Sequence, residues 1–262
     1  MTDAMPTGRP EGAPAEPGSR RDRVRADTVR EIKDTARRVL VTHGGEGFAL
    51  RAIAREMGMT APALYRYFDG REDLVEHVVA DLYEELCEHL VSARDAADPA
   101  TPAVQLLASS RAFRRWAIAH RQEFGLLFGS AGDGVVPTHD RLHADPGSPA
   151  HAAARRFGAI FAELMAQIYL TRPFPVPADD ELDRVLAAQL AEWRAEFPLD
   201  LPLGVVRVFL SCWIRLYGLV AMEIFGHLKF ALDDAEPMFE SELHSLAEVL
   251  GVAEEYATVR RA

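Results

Sequence analysis

Residues 60–71 combine small, aromatic and basic side chains around the start of a predicted helix. Small side chains let the N-terminus of a helix, which favours anions, come close to a phosphate group. Threonine and alanine methyl groups can contact the methyl group of thymine, and tyrosine and arginine can donate hydrogen bonds to phosphate oxygens. The chemistry indicated is contact with nucleic acid. The candidate contact residues are Thr60, Ala61, Pro62, Ala63, Tyr65, Arg66, Tyr67 and Arg71, with Arg51 shortly before them.

Two short predicted helices and a glycine turn position these side chains. Ala54 in the first helix is small enough for a helix crossing, and Gly58 follows at its end, where a left-handed φ costs glycine nothing. Thr60 is placed to cap the second helix, predicted over Thr60–Tyr67, and Leu64 faces back onto the first. This spacing is typical of a helix-turn-helix, whose second helix enters the DNA major groove. A generic helical hairpin is the alternative interpretation.

An amphipathic helix with a basic beginning precedes this motif. Its apolar residues recur at helical spacing: Val29, Ile32, Ala36, Val39 and Leu40. The basic patch Arg20–Arg25 lies at its start, and Arg23 and Arg25 are candidate contacts to phosphates or to the minor groove. A solvated, flexible segment is the alternative for this patch.

The run GFALRAIAREMGMTAPALYRYFDGREDLVEHV resembles the DNA-binding domain of TetR/AcrR-family transcriptional regulators. The resemblance covers residues 26–77 and depends on the small-residue helix, the glycine turn and the sequence Leu-Tyr-Arg-Tyr-Phe before a short connector. Ala49 stands where the family commonly has a serine or threonine cap, and Arg71 where lysine is common. The resemblance implies a regulator, commonly a repressor, with a C-terminal effector pocket and dimer interface. Packing within the domain is the alternative for Tyr65, and Phe68 is expected in the core.

Helical periodicity continues over most of the remaining chain, without an alternating strand pattern of any length. We therefore predict an all-α fold with a disordered tail (1–19), a three-helix helix-turn-helix domain (20–72) and a helical effector-binding and dimerisation domain (73–262). A Gly/Pro/Asp/His-rich break at 129–149 is expected to be a loop. The helices expected after the helix-turn-helix are Leu74–Leu90, Ala103–Ala119, Ala150–Tyr169, Ala178–Phe197, Leu203–His227 and Ala235–Val252.

The penultimate predicted helix has one broad apolar side, with Phe209, Leu210, Trp213, Tyr217, Val220 and Ile224. The family implies that the last two helices of two subunits form a four-helix bundle, so we expect a homodimer; packing within one chain is the alternative. The segments FRRWAIAHRQEFGLLFG and CWIRLYGLVAMEIFG resemble a TetR subgroup with a Trp…His-Gly motif, although Tyr217 replaces the histidine. Val205–Phe225 resembles a membrane span, but its three charges are costly in a bilayer, so no membrane partner is expected.

Aromatic and polarizable side chains of the C-terminal region are the candidates for an effector pocket. Mostly apolar pockets bind lipophilic or aromatic molecules, and we expect a small effector of that kind. Arg115, Arg215 and His120 are the candidates for binding a carboxylate or hydroxyl of the effector. An ordinary apolar core is the alternative. The candidate pocket residues are Trp116, His120, Phe124, Leu127, Phe128, Phe161, Met165, Trp193, Trp213 and Tyr217.

Charge is distributed unevenly along the chain. The formal net charge of −11 would by itself argue against a nucleic-acid partner. Residues 20–70, however, hold 11 basic and 7 acidic side chains, a net charge of +4, whereas residues 71–262 carry −13. This polarity would orient the N-terminal region toward double-stranded operator DNA.

Other classes of function find little support in the sequence. There is no nucleotide-binding fingerprint, P-loop or nucleophile elbow, so we expect no enzyme activity and no cofactor. His139, Asp140, His143 and His151 in and after the predicted loop make only a weak case for a metal site, and none is expected. Two cysteines and the lack of a signal segment indicate a cytoplasmic protein. An all-α interaction or adaptor protein without ligand-controlled DNA binding is the alternative function.

Overall fold

The computed structural model describes residues 20–43, 48–98, 100–129, 147–195 and 200–259, and these residues contain helices and no strand. The predicted all-α class is therefore confirmed. The predicted tail and most of the predicted 129–149 loop lie outside the described residues. The helices are α1 (Arg20–His43), α2 (Leu50–Glu56), α3 (Ala61–Leu64), α4 (Arg71–Asp95), α5 (Pro102–Ala119), α6 (Arg121–Phe128), α7 (Pro149–Thr171), α8 (Arg184–Arg194), α9 (Leu203–Ile224), α10 (Glu236–Val249) and α11 (Ala253–Val259), with a 3₁₀ turn at Asp179–Glu181.

The first three helices form the predicted helix-turn-helix unit around a small apolar core. Ile53 and Ala54 of α2 and Leu64 of α3 are buried, as the spacing of the motif requires. Gly58 joins the two helices with a φ of 66°, which a residue without Cβ adopts at no steric cost. Phe48, just before α2, is also buried.

The second helix of the motif is shorter than predicted. Regular α-helix ends at Leu64, and residues 65–67 form a turn. The N–H groups of Arg66 and Tyr67 donate to carbonyls three residues back, at 3.3 and 3.0 Å, so the chain tightens there instead of continuing as α-helix. Thr60 occupies the N-cap position, although its side chain makes no capping hydrogen bond.

The basic patch at residues 20–25 is helical. Helix α1 begins at Arg20, so the alternative of a flexible segment is wrong for these residues. Asp22 lies in the first turn, where a carboxylate interacts favourably with the helix dipole. The side chains of residues 20–25 are all exposed.

Helix α4 connects the helix-turn-helix to the C-terminal core. It is 25 residues long and packs mainly against α7 and α5. A buried leucine or valine recurs every fourth residue, so one face remains in contact with these two helices over the whole length. These residues are Leu74, Val78, Leu82, Leu86 and Leu90.

Several helix ends differ from the sequence prediction. His120, with φ −125° and ψ 51°, separates α5 from α6, a break that apolar periodicity does not reveal. The helix predicted from Ala178 begins at Arg184, because the Asp183 carboxylate accepts hydrogen bonds from the first N–H groups of α8. The last predicted helix is two helices, with Gly251 at a φ of 67° between them.

Helix α9 is, within the described part of the chain, the one helix long and apolar enough to cross a membrane by length and composition. A single such helix is weak evidence, because core helices of soluble proteins meet the same criterion. Two of its charged side chains pair with other helices: Arg215 with Glu242 of α10 at 2.7 Å, and Glu223 with Arg114 of α5 at 2.8 Å. The helix is therefore integrated into the helical bundle through polar as well as apolar contacts.

Candidate functional site

The turn after α3 presents predicted contact residues to solvent. Leu64 is fully buried, whereas the neighbouring Tyr65 is 55% exposed. The alternative that Tyr65 packs within the domain does not describe this position, while Phe68 is buried as expected. Among the other predicted contact residues, those that are exposed are Arg51, Thr60, Pro62 and Arg66, and those that are half-buried are Ala61 and Ala63.

Helix α1 contacts this exposed segment through Arg25. The guanidinium carbon of Arg25 lies 5.1 Å from the centre of the Tyr67 ring, and its Nη2 donates to the Arg66 carbonyl at 3.4 Å. A cation over an aromatic ring at an exposed site contributes about 0.5–1 kcal/mol. The contact places the basic start of α1, including exposed Arg23, beside the second helix of the motif.

Arg71 lies at the beginning of α4, where the helix-turn-helix ends. It is half-buried, and its guanidinium carbon is 6.0 Å from the centre of the Phe48 ring. The N–H of Asp69 donates to Asp73 at 2.8 Å and closes the turn before this helix. Arg71 is thus placed at the junction of the motif with α4, away from the most exposed contact residues in sequence and in burial.

A polar junction joins α1, α4, α5 and α6; we use this name for Arg37, Glu85, Trp116, His120 and Glu123. Arg37 donates to Glu85 at 2.6 Å and to Glu123 at 3.0 Å. Glu85 also accepts from Trp116 Nε1 at 3.3 Å, and its Oε1 lies 3.4 Å from His120 Nε2. His120 stacks on Trp116 with ring centres 4.9 Å apart. One carboxylate of α4 is therefore held from three directions.

The electrostatics of this junction favour charged side chains. Burial opposes ionisation of Glu85, but hydrogen bonds and charges from Arg37, His120 and Trp116 outweigh it and hold the pKa of Glu85 below its usual value. Burial likewise opposes the charge of Arg37, yet Glu85 and Glu123 raise the pKa of the guanidinium. The ion pairs therefore persist at neutral pH.

The predicted pocket residues divide into two groups. Trp116 and His120 belong to the polar junction. The others, apart from Trp193, lie in or beside an aromatic cluster in which Trp213 stacks on Tyr217 at 5.6 Å and the Tyr217 hydroxyl donates to the Phe128 carbonyl at 2.9 Å. Phe113 and Phe157, which the sequence analysis did not select, lie 5.6 and 5.4 Å from the Trp213 ring. The predicted members of this cluster are Phe124, Phe128, Phe161, Trp213 and Tyr217.

Two cavities adjoin this cluster. The outer cavity, of about 70 Å³, lies between α7, α8 and α9 and is lined by Met165, Trp193 and Phe209 among other residues. The inner cavity, of about 40 Å³, lies between α5, α7, α9 and α10 and is lined by Phe161, Met165, Phe209 and Trp213 among others. Four predicted pocket residues thus line cavities: Phe161, Met165, Trp193 and Trp213.

Two ion pairs fasten α5 to the last long helices. Arg114 makes two hydrogen bonds of 2.8 Å with Glu223 of α9, and Arg111 makes two of 2.8 Å with Glu240 of α10. The Arg114 and Glu223 side chains are only 10% and 12% exposed, so each charge depends on the other for its solvation. Neither pair is visible in the sequence, because the partners are far apart along the chain.

Comparison with family models identifies the fold family. Residues 32–78 match the model described as bacterial regulatory proteins, tetR family. Residues 106–246, more than half of the chain, match the model described as tetracyclin repressor-like, C-terminal domain. The chain belongs to the TetR family.

Individual relatives agree with this assignment. The HTH-type transcriptional regulator Rv1816 of Mycobacterium tuberculosis (strain ATCC 25618 / H37Rv) is 32% identical over 237 residues, which cover 89% of this chain and 96% of the relative. The crystal structure of regulatory protein SCO4313 has a TM-score of 0.66 and 29% identity, and the match covers 87% of this chain and 98% of that chain. A TetR family transcription regulator from Marinobacter aquaeolei VT8 shares the fold, with a TM-score of 0.52, 11% identity and coverage of 87% and 97%.

The TetR family assignment resolves two sequence-based expectations. This TetR-family protein is a helix-turn-helix transcriptional regulator and not an enzyme. Family membership also favours the regulator over the adaptor alternative. What the sequence did not reveal are the polar junction and the two cavities, since both depend on which helices pack together.

Proposed function

We propose that this TetR-family regulator binds operator DNA as a homodimer and acts as a repressor whose operator affinity falls when a small lipophilic or aromatic effector binds. The observation that carries the DNA-binding part is the exposure of Tyr65 beside fully buried Leu64. A large side chain anchored next to a core residue has a fixed direction, as base or phosphate contact requires. We divide the chain into a DNA-binding domain at 20–72 and an effector and dimer domain at 73–262, and place the protein in the cytoplasm.

In this proposal the second helix and its turn enter the major groove. Thr60, Ala61, Pro62 and Ala63 lie against base edges and phosphates at the helix N-terminus, where the dipole favours anions. Tyr65, Arg66 and Tyr67 reach bases or phosphates from the turn. The residues assigned to backbone contacts are Arg23, Arg25, Arg51 and Arg71.

The dimer part is supported by the outer face of α9 and α10. Only 28% of the most apolar 18-residue stretch of α9 is buried within one chain. Ile214, Met222 and Phe225 are 58%, 42% and 44% exposed, and Met238 and Val249 of α10 are also exposed. Apolar surface of this kind on two adjacent helices favours pairing with a second copy in a four-helix bundle.

The effector part is supported by the two cavities and by the course of α4. The cavities lie in the bundle that packs on α4, and the polar junction ties α4 to α1 of the DNA-binding domain. An effector that prefers a different arrangement of the bundle would tilt α4 and change the separation of the two recognition helices. Operator and effector affinities must then be coupled reciprocally, by about 1–3 kcal/mol in typical cases.

Selection of binding sites from a random duplex library, followed by titration of the selected duplex with full-length protein, tests the DNA-binding part. We expect a pseudo-palindromic site with half-sites about 34–36 Å apart, or a small multiple of that distance. Tyr65→Ala and Thr60→Ala should each weaken binding about tenfold, which corresponds to about 1.4 kcal/mol. Leu170→Ala, an exposed change on α7, is the control. Tyr65→Ala binding like the wild type would contradict the proposed reading surface.

The oligomeric state tests the dimer part separately. Ile214→Glu should convert the dimer to a monomer in sedimentation experiments, because it places a charge in the centre of the apolar face. Leu170→Glu introduces the same charge at a side chain that is 63% exposed on α7, and it should leave the dimer intact. A monomeric wild-type protein would refute this part of the proposal.

A further inference from the structure

The outer and inner cavities share a wall. Met165 of α7 and Phe209 of α9 line both of them. The two volumes, about 70 and 40 Å³, are each several times the roughly 10–15 Å³ that one water molecule needs. Methionine is unbranched and has three rotatable side-chain bonds, so a change of rotamer at Met165 can open the wall without moving the backbone.

Polar groups are concentrated at one end of this pair of cavities. The outer cavity includes Arg194, whose Nη1 donates to the Leu201 carbonyl at 3.0 Å and lies 3.2 Å from Asp200. Because Asp200 is 91% exposed, this ion pair is weak and a ligand group can compete for Arg194. In the inner cavity the Ser110 hydroxyl already donates to the Leu106 carbonyl at 2.8 Å.

We infer that the two cavities form one site for an unbranched aliphatic chain with a polar head group. The head lies beside Arg194, and the chain passes Met165 and Phe209 into the inner cavity. The inference rests on the proposed function, because it names the chemical class of the effector. A chain needs only the width of one methylene group at the shared wall, whereas a compact ring system would have to displace both Met165 and Phe209.

The volumes set the length of this chain. A methylene group is close to a water molecule in size, so at roughly 10–15 Å³ per group the two cavities accommodate about eight to ten carbons. Up to that length each added methylene is buried, and beyond it the chain has no further room. The affinity should therefore rise with chain length and then stop rising.

Calorimetric titration of the full-length protein with straight-chain carboxylates and alcohols of four to sixteen carbons tests the length dependence. Affinity should increase about fourfold per methylene up to about ten carbons and then level off. Decanoate should bind at least about tenfold more tightly than 1-adamantanecarboxylate, which has a similar carbon number in a compact shape. Equal affinity for these two acids, or no binding by any chain, would overturn the inference.

The tryptophans report the position of the chain. Trp193 lines the outer cavity and Trp213 the inner one, whereas Trp116 belongs to the polar junction. Quenching by 10-bromodecanoate, which carries its bromine at the far end of the chain, should be lost in Trp213→Phe and retained in Trp193→Phe. The reverse pattern would show that the chain does not enter the inner cavity and would contradict the inference.

A cavity-filling variant gives an independent measurement. Ala247, buried on α10, lines the inner cavity, so Ala247→Leu should shorten the preferred chain by about three carbons, the number of carbon atoms it adds. Ala152→Leu adds the same atoms at an exposed position of α7 and should leave the preferred length unchanged. An unchanged length preference in folded Ala247→Leu would refute the two-cavity site, and circular dichroism checks the fold. The titrations and quenching of the unmodified protein decide the question if this variant does not fold.

The same titrations separate this inference from the proposed function. If the protein binds its selected operator but no chain, the inference fails and the DNA-binding proposal stands. If decanoate binds with the expected length dependence but leaves operator affinity unchanged, the site stands and the proposed effector switch fails.

Discussion

Arg37 of α1 and Glu123 of α6, 86 residues apart in the chain, form an ion pair with an N–O distance of 3.0 Å. The same guanidinium also bonds Glu85 of α4. Arg37 therefore connects the DNA-binding region to two helices of the C-terminal core at one point. Any rearrangement of α4 relative to α6 must either carry α1 with it or break one of these bonds.

A double-mutant cycle with Arg37→Met and Glu123→Gln should show a coupling energy of about 1 kcal/mol or more in urea unfolding, because the two side chains are only 30% and 16% exposed. The control is the pair Arg30–Asp27 on α1, whose side chains are both 69% exposed. Its cycle should give less than about 0.5 kcal/mol, as is usual for solvated pairs. Equal coupling energies in the two cycles would mean that the junction contributes no more than a surface contact.

The stabilisation from Glu85 should depend on pH in a defined direction. Its pKa in the folded protein is held below the ordinary 4.5, so the folded state favours the ionised form. The contribution is therefore complete above about pH 4.5 and is lost as pH falls through the lower folded pKa. Glu85→Gln should accordingly flatten the acid side of the stability profile, measured by urea unfolding at a series of pH values. A variant profile parallel to that of the wild type would contradict this expectation.

Arg25 should affect operator binding more than another arginine of the same helix. It contacts Tyr67 and the Arg66 carbonyl, whereas Arg30 lies farther along α1 and pairs with Asp27. Arg25→Ala should lower operator affinity and reduce the slope of log affinity against log salt by about 1, the value for one lost phosphate contact. Arg30→Ala, which removes the same charge, should leave the slope unchanged. Identical slopes for the two variants would show that only net charge matters.

The two cysteines should react slowly in the folded protein. Burial raises the pKa of Cys87 and of Cys212 to about 11, from an ordinary value of 9.0. At about pH 8 the thiolate fraction is then about 100-fold smaller than in the unfolded chain, so alkylation by iodoacetamide should slow by at least that factor. Because the folded state favours the protonated thiols, their stabilisation is complete below about pH 9 and is lost as pH rises through about 11. Mass spectrometry of each site checks the rates, and rapid labelling of the folded protein would contradict the burial.

Two helical glycines should respond in opposite ways to alanine. A Cβ at Gly204 would lie 2.1 Å from the Pro177 carbonyl oxygen, so Gly204→Ala must shift backbone and should cost about 1–3 kcal/mol. A Cβ at Gly158 in α7 has no neighbour within 4 Å, and Gly158→Ala should gain about 0.5–1 kcal/mol from helix propensity. Thermal unfolding of the two variants measures both effects. A loss of stability in Gly158→Ala would show that α7 is constrained at this position by a contact outside one chain.

Local interactions explain how much could be predicted from sequence. Ala54, Gly58 and Leu64 lie within 11 positions of one another, so their spacing alone specifies the helix-turn-helix. The His120 break and the short α3 were not predicted, because apolar periodicity continues through the first and the second ends in a turn with no proline or glycine within it. Aromatic content indicated an apolar C-terminal core but did not separate Trp116, which bonds Glu85, from Trp213, which lines a cavity.

The buried pairs Arg114–Glu223 and Arg111–Glu240 have an evolutionary consequence. Losing one partner strands an uncompensated charge, which typically costs about 3–5 kcal/mol, whereas replacing both by apolar residues of similar volume is often neutral. Single substitutions at these four positions should therefore be rare among descendants of this sequence, and joint ones tolerated. The two pairs should appear as correlated columns when related sequences are aligned, and a lineage that has lost Arg114 should also have replaced Glu223.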